Sequence, residues 1–431
     1  MVSVSVKNFV MRNGERYCLL VESTSGLPLY YPTLYLTTQV RNKSLSVSAM
    51  ETALLGIGVF LHFLIEQGID IHGRFQNQVY LEPPDLDALR DFCQKRFRAN
   101  KILKLSKKFS ASKVRKETEY TRLTSIAAYV EWLASLLSIS KDKHATLQID
   151  KMVTGIKSRR PRRVNTDHNE VDKSLDEKQI ELVFEVFRPE SDLNPFKDHQ
   201  VKIRNRLVFL MLYHLGLRAG ELLNIRIRDF DFSNNQLIVA RRPDEKDDPR
   251  TYQPLVKTLD RRLPLRETLA REIHEYIVKF RKAVPNANKH DFLLVAHKAG
   301  PTQGQPMSIV AYKKIIDAVR ATAPDLYGFT GHQLRHTWNY NFSKHMDAMD
   351  QPPSAEKQEK IRSYLMGWKD GSGTAATYNK RFIKDKAHQL SLELQKDLMR
   401  MPERDFENGN ETKCANQDKF KPTSVESGIS L

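Results

Sequence analysis

Residues 214–225 read HLGLRAGELLNI, and they decide how the second half of the chain is read. The preceding VKIRNRLVFLMLY is apolar at helical spacing, so a helix should run up to Gly216 and stop there. A second, short helix follows, with Arg218 at its start and Glu221 three positions on, on the same face. An arginine braced in this way by a carboxylate is an aimed fork for a phosphate oxygen, because guanidinium offers its donors in a plane. The same spacing also makes an ordinary surface ion pair, so the stretch gains meaning only from partners elsewhere.

Two later stretches supply them. In TGHQLRHTWNYNF (330–342), Thr330 is placed to cap a helix. His332 and Arg335 then lie three apart and could donate together to two oxygens of one phosphate, with Leu334 and Trp338 spaced to bury the opposite side. In YLMGWKDGSGTAATYNKRF (364–382), a helix should end at Gly367, followed by Trp368 and, ten positions further, Tyr378. A phenol with a pKa near 10 attacks poorly unless cations stabilise its phenolate. It is nonetheless suited to forming a reversible phosphodiester. Taken singly, the second stretch is a helix with a surface His and Arg, and the third holds a packed tyrosine.

The bulk properties agree with a polyanion as partner. The 69 Lys and Arg exceed the 52 Asp and Glu, leaving a formal charge of +17, and such a surplus attracts nucleic acid over long range. One basic cluster is KILKLSKKFSASKVRK, with Lys101, Lys104, Lys107, Lys108, Lys113 and Arg115. A second is KSRRPRRV, with Lys157, Arg159, Arg160, Arg162 and Arg163. Closely spaced cations of this kind displace the counterions condensed on a phosphate backbone. Cys18, Cys93 and Cys414 form no paired motif, which excludes a disulfide framework or a cysteine zinc site and suits a reducing compartment. The opening MVSVSVKNF has no signal-peptide pattern. The longest apolar run, 53–65, is shorter than the roughly 20 residues of a membrane span, so no membrane partner is expected.

Along the chain, residues 1–40 (VSVSV, YCLLVES, LYYPTLYL) should form an extended or β arm. Helical periodicity sets in near residue 45 and gives four helices up to about 160. A basic linker is expected over 157–173. A second domain opens at SLDEKQIELVFEVF, whose Ser-x-x-Glu is a capping box, and runs over 174–400. It should carry strands at IRDFDF, QLIVARR, TYQPLVK, RRLPL and DFLLVA. Residues 401–431 are polar and aperiodic, so disorder is expected. The fold expected is mainly α with a small antiparallel β-sheet.

In order and spacing, G-L-R-x-x-E-L, H-x-x-R-H, G-W and a following Tyr resemble the tyrosine recombinase, or phage integrase, family across 174–400. The helices at 45–160 look like that family's core-binding domain, preceding an α+β catalytic domain. The resemblance implies a site-specific recombinase that cleaves and rejoins DNA through a 3′-phosphotyrosine at Tyr378. Arg218 and Arg335 would stabilise the transition state, His332 and Trp368 would donate further hydrogen bonds, and Glu221 would orient Arg218 or His332. It also identifies Lys257, in LVKTLDRRLPL, as the acid that protonates the 5′ oxygen, with Lys246 as the alternative. Trp368 stands where histidine is more common, and its indole can donate but cannot exchange a proton. The gap from Trp368 to Tyr378 looks one residue longer than usual.

No metal and no cofactor is implied. The partners implied are double-stranded recombination sites, three further copies of the chain in a tetramer, and accessory recombination proteins, in the cytoplasm at the nucleoid. KDKAHQLSLELQKDLM (384–399) is amphipathic and could be exchanged between subunits or pack in cis. Integration, excision or transposition of a mobile element is the task expected. A type IB topoisomerase, a telomere resolvase and an inactive DNA-binding accessory protein are the alternatives.

Overall fold

The computed structural model describes residues 4–43, 47–97, 113–139, 142–162, 173–369, 371, 382–383 and 385–394. The chain opens with an antiparallel hairpin, β1 (Val4–Val10) and β2 (Arg16–Glu22), registered Val4 to Glu22 and Val10 to Arg16. Expected as extended, LYYPTLYL instead begins a short helix, α1 (Tyr30–Tyr35), that continues as further helical turns to Lys43. Pro32 falls in its first turn, where a missing N–H costs nothing.

The expected helices follow as α2 (Val47–Gln67), α4 (Pro83–Gln94), α5 (Lys116–Leu137) and α6 (Lys143–Ser158). The pattern did not single out α3 (Ile71–Gln76), capped by Asp70. Tyr17 and Leu20 of the hairpin, Phe60 and Phe63 of α2, Val130 of α5 and Ile156 of α6 share one apolar core. At 21 residues α2 is longer than the apolar run suggested and is apolar enough to cross a membrane, but just over half of its most apolar window is buried inside the protein. It serves as the central helix of this core.

A second core joins the elements from 175 to 334. It begins with α7 (Glu177–Phe187), whose cap is Asp176 paired with Gln179 rather than the expected Ser174 with Glu177. Ser174 is itself buried. After it come α8 (His199–Leu215) and α9 (Ala219–Leu222), then a three-stranded antiparallel sheet. Its strands are β3 (Phe230–Asp231), β4 (Gln236–Val239) and β5 (Arg261–Pro264), in that order.

The expected strands at TYQPLVK and DFLLVA are absent. The first has no partner, since β4 already pairs with β3 and β5, and Pro254 removes a donor. The second makes only single bridges, Phe292 to Arg226 and Val295 to Pro306, although Phe292 to Val295 are fully buried. The remaining helices are α10 (Glu267–Glu275), α11 (Ile309–Arg320), α12 (Gly331–Asp347) and α13 (Ala355–Met366). Residues 385–394 are helical and belong to a separate compact unit that begins at Ile383.

Candidate active site

Two helices end on left-handed glycines, α8 at Gly216 and α13 at Gly367, a conformation glycine adopts without strain. Their last carbonyls point at one side chain. Arg335, one turn into α12, is wholly buried. Its Nη1 donates to the Gly216 carbonyl at 2.7 Å and its Nη2 to the Met366 carbonyl at 2.9 Å. A cation at two helix C-termini meets the negative ends of both dipoles. The same guanidinium lies 5.4 Å from the centre of the Trp368 ring and 3.8 Å from Glu221 Oε2. Thr330 and Gln333 cap α12 reciprocally, fixing where Arg335 enters the core.

Glu221 is the hub of this arrangement and is only 1% exposed. Its carboxylate accepts from the Arg218 backbone N–H at 3.0 Å, from Arg261 Nη2 at 2.9 Å and from Thr258 Oγ1 at 2.6 Å. The Arg218 Nη1 stands 3.6 Å away. Burial works to raise the Glu221 pKa, but the charges of Arg261 and Arg335 and the bonds from Arg261 and Thr258 outweigh it and hold it below the ordinary value. The carboxylate is therefore ionised at neutral pH.

Arg218 is the arginine that reaches the surface, with 26% of its side chain exposed. Its Nη1 makes no hydrogen bond among the described residues. It borders an open depression of about 380 Å³, together with His332, Thr330, Tyr312 and Lys313. His332 lies exposed at the mouth of α12, its ring 5.0 Å from His336 and nearly perpendicular to it. Desolvation, then the charges of Arg335, Arg218 and Lys173, lower the His332 pKa, and burial brings His336 to about 4. Both rings are neutral at pH 7.

Spacing alone had His332 and Arg335 projecting together; instead only His332 faces outward. The end of α13 packs over Arg335 and takes up its donors. Trp368 is buried beside Met366, Trp338 and Leu365.

Lys257 is exposed in the 240–260 connection between β4 and β5, and its neighbour Thr258 binds Glu221. Lys246 is exposed in the more distant part of the same connection. Tyr378 lies outside the described residues, as do Lys101, Lys104, Lys107, Lys108 and Arg163.

Of the basic candidates that are described, Lys113, Arg115 and Arg162 are exposed. Lys157 belongs to α6, not to a linker, and stands 3.7 Å from Glu131. Arg159 binds Asp87 at 2.7 Å, and Arg160 lies over the Tyr120 ring. Sequence reasoning missed Arg261 and Thr258. The signal was present, because Arg261 shares the buried face of β5 with Leu263, and a cation on a core face needs a carboxylate.

Residues 173–382, just under half of the chain, match the phage integrase family. The chain is 26% identical over 162 residues to the tyrosine recombinase XerC of Staphylococcus haemolyticus, covering 38% of this chain and 45% of that protein. It is 33% identical over 105 residues to tyrosine recombinase XerA of Pyrococcus furiosus, covering 24% and 28%. It is 27% identical over 135 residues to transposase A from transposon Tn554 of Staphylococcus aureus, covering 31% and 34%. The chain thus spans less than half the length of these relatives. The structure of the XerH site-specific recombinase bound to a palindromic difH substrate is 14% identical, with a TM-score of 0.47 over 84% of each chain.

Proposed function

We propose that the protein is a site-specific DNA recombinase that breaks and rejoins strands through a covalent 3′-phosphotyrosine. The observation carrying this reading is the convergence on Glu221. The segments at 218, 258–261 and 335 meet there through hydrogen bonds and ion pairs, and Arg335 ties in the carbonyls of Gly216 and Met366. The resemblance of the motif spacing to the phage integrase family, which residues 173–382 match, supports Tyr378 as the attacking group.

The Tyr378 phenol gives up its proton to water as its Oη attacks phosphorus, the bond to O5′ breaks, and Lys257 gives its proton to the departing O5′. An incoming 5′ hydroxyl reverses the sequence. Negative charge grows on the nonbridging oxygens during attack. Arg218, facing the open depression, and His332, donating from its neutral ring, are the groups that meet it. One preorganised donor of this kind contributes on the order of 3 kcal/mol. Arg335 adds positive charge from below, holds the ends of α8 and α13 in place, and carries Trp368 against its face. Glu221 fixes Arg218 from its backbone side. Energy is conserved in the phosphotyrosine, so strand joining requires no nucleotide.

Double-stranded DNA is the substrate. The exposed Lys113, Arg115 and Arg162, with the basic residues of 101–108 and Arg163, contact its backbone, where such contacts set position more than sequence. Four copies act on paired sites, and the task is movement of a mobile element.

Incubation with a nicked suicide duplex tests the reading. A protein–DNA adduct that survives SDS and disappears in Tyr378→Phe is expected. A variant that still forms the adduct, or a wild type that binds DNA and never forms one, overturns it.

A further inference from the structure

The 240–260 connection is held from two sides. Its near part runs along α9. A Cβ on Gly220 would stand 2.5 Å from the Leu255 carbonyl oxygen, and Thr258 binds Glu221. Its far part is held by the N-terminal hairpin, through a residue that no motif marks.

Arg16, the first residue of β2, is 3% exposed. Its Nη1 donates to the carbonyls of Gly14 and Glu245, both at 2.7 Å. Its Nη2 donates to the carbonyls of Asp248 at 2.5 Å and Arg250 at 3.3 Å. The Arg16 backbone N–H donates to Asp244 Oδ1 at 3.1 Å. The turn before it comes so close that a Cβ on Gly14 would stand 2.7 Å from both Asp244 O and Lys246 N. Tyr252, further along, bonds to Asn8 of β1 and donates to Glu51 of α2 at 3.3 Å.

Three of the four carbonyls that Arg16 gathers thus lie in the other half of the molecule. Buried charge is a weak source of stability, and its best-attested use is to fix one geometry among several. The geometry fixed here leads to α9. Asp248, whose carbonyl Arg16 holds, binds the Arg250 guanidinium at 2.7 Å. Arg250 in turn donates to the Leu223 carbonyl, just past α9, at 2.9 Å and to the Met307 carbonyl at 3.0 Å. From Arg250 the chain needs seven more residues to reach Lys257.

We infer that Arg16 is a positioning residue for the leaving-group acid: it sets the course of the connection along α9 and thereby the placement of Lys257 at the scissile bond. This rests on the proposed reaction, and it makes the N-terminal hairpin part of the apparatus that controls proton transfer.

Leaving-group chemistry separates this role from a purely structural one. Replacing the bridging O5′ by sulfur gives a thiolate that departs without a proton, so cleavage of that DNA does not depend on the acid. Wild type should cleave both the oxygen and the sulfur substrate. Lys257→Ala should cleave only the sulfur substrate; if it does not, the assignment of Lys257 fails, independently of Arg16. Arg16→Ala should lose at least ~10-fold on the oxygen substrate, as misplacement of a reacting group does, while cleaving the sulfur substrate and binding DNA at wild-type levels. Arg16→Lys, with three donors for four carbonyls, should fall between, and it decides the matter if the alanine variant does not fold. Equal losses on both substrates, or none on either, would overturn the inference.

Discussion

Arginine does opposite work in two parts of this molecule. Around Glu221, Arg261 and Arg335 are almost wholly buried, and their donors go to carbonyls, Thr258 and one carboxylate. At the end of α6, Arg159, Arg160 and Arg162 are partly or fully exposed, with partners as exposed as Asp87. The buried set determines where chain segments sit. The exposed set contributes to the field that a polyanion meets from a distance. The side chain is the same in both places, and its surroundings decide what it does.

The comparison breaks most readily at its hub. Glu221→Ala leaves Arg261 and Arg335 buried without their carboxylate, and removing one partner of such a set costs about 3–5 kcal/mol. Denaturant unfolding should show that loss, whereas Arg159→Ala should leave the midpoint unchanged. If both variants behaved alike, burial would not be what distinguishes the regions.

A pH titration sharpens it next. His336 has its pKa lowered from 6.5 to about 4 by burial, then by His332, Lys173 and Arg335. The unfolded chain therefore takes up a proton on this ring at higher pH than the folded one does. Its contribution is intact above pH 6.5 and is lost as pH falls towards 4. His336→Gln should flatten the stability profile within that window. A profile unchanged by the substitution would contradict it. Glu221, with its pKa held below 4.5, loses its contribution at lower pH still, as it becomes protonated.

The smallest effect belongs to the exposed set. Each of Lys113→Ala and Arg162→Ala should weaken DNA binding uniformly across sequences and lower the slope of log affinity against log salt by about 1. Salt slopes identical to wild type would remove these two from the interface.

How far the sequence could be read follows from the range of each interaction. The helices were legible because their apolar spacing is local, and so was the cap at Thr330. The Arg218–Glu221 and His332–Arg335 pairs were visible as i, i+3 neighbours. Whether each side chain faced solvent was not, since that depends on α13 arriving from 31 positions beyond Arg335 to place the Met366 carbonyl over it. Arg261 and Thr258 escaped notice because their acceptor lies 40 and 37 positions away. Arg16 is further still, with acceptors more than 200 positions downstream. LYYPTLYL and TYQPLVK alternate as strands do, but alternation supplies no pairing partner, and neither segment found one.

The central claim is that one tyrosine carries the broken strand. Trapped adduct should be digested with nuclease and trypsin and the peptides read by mass spectrometry. The peptide 370–380, DGSGTAATYNK, should carry a nucleotide phosphate on Tyr378. A nucleotide found on Tyr340, Tyr364 or any serine instead would contradict the account.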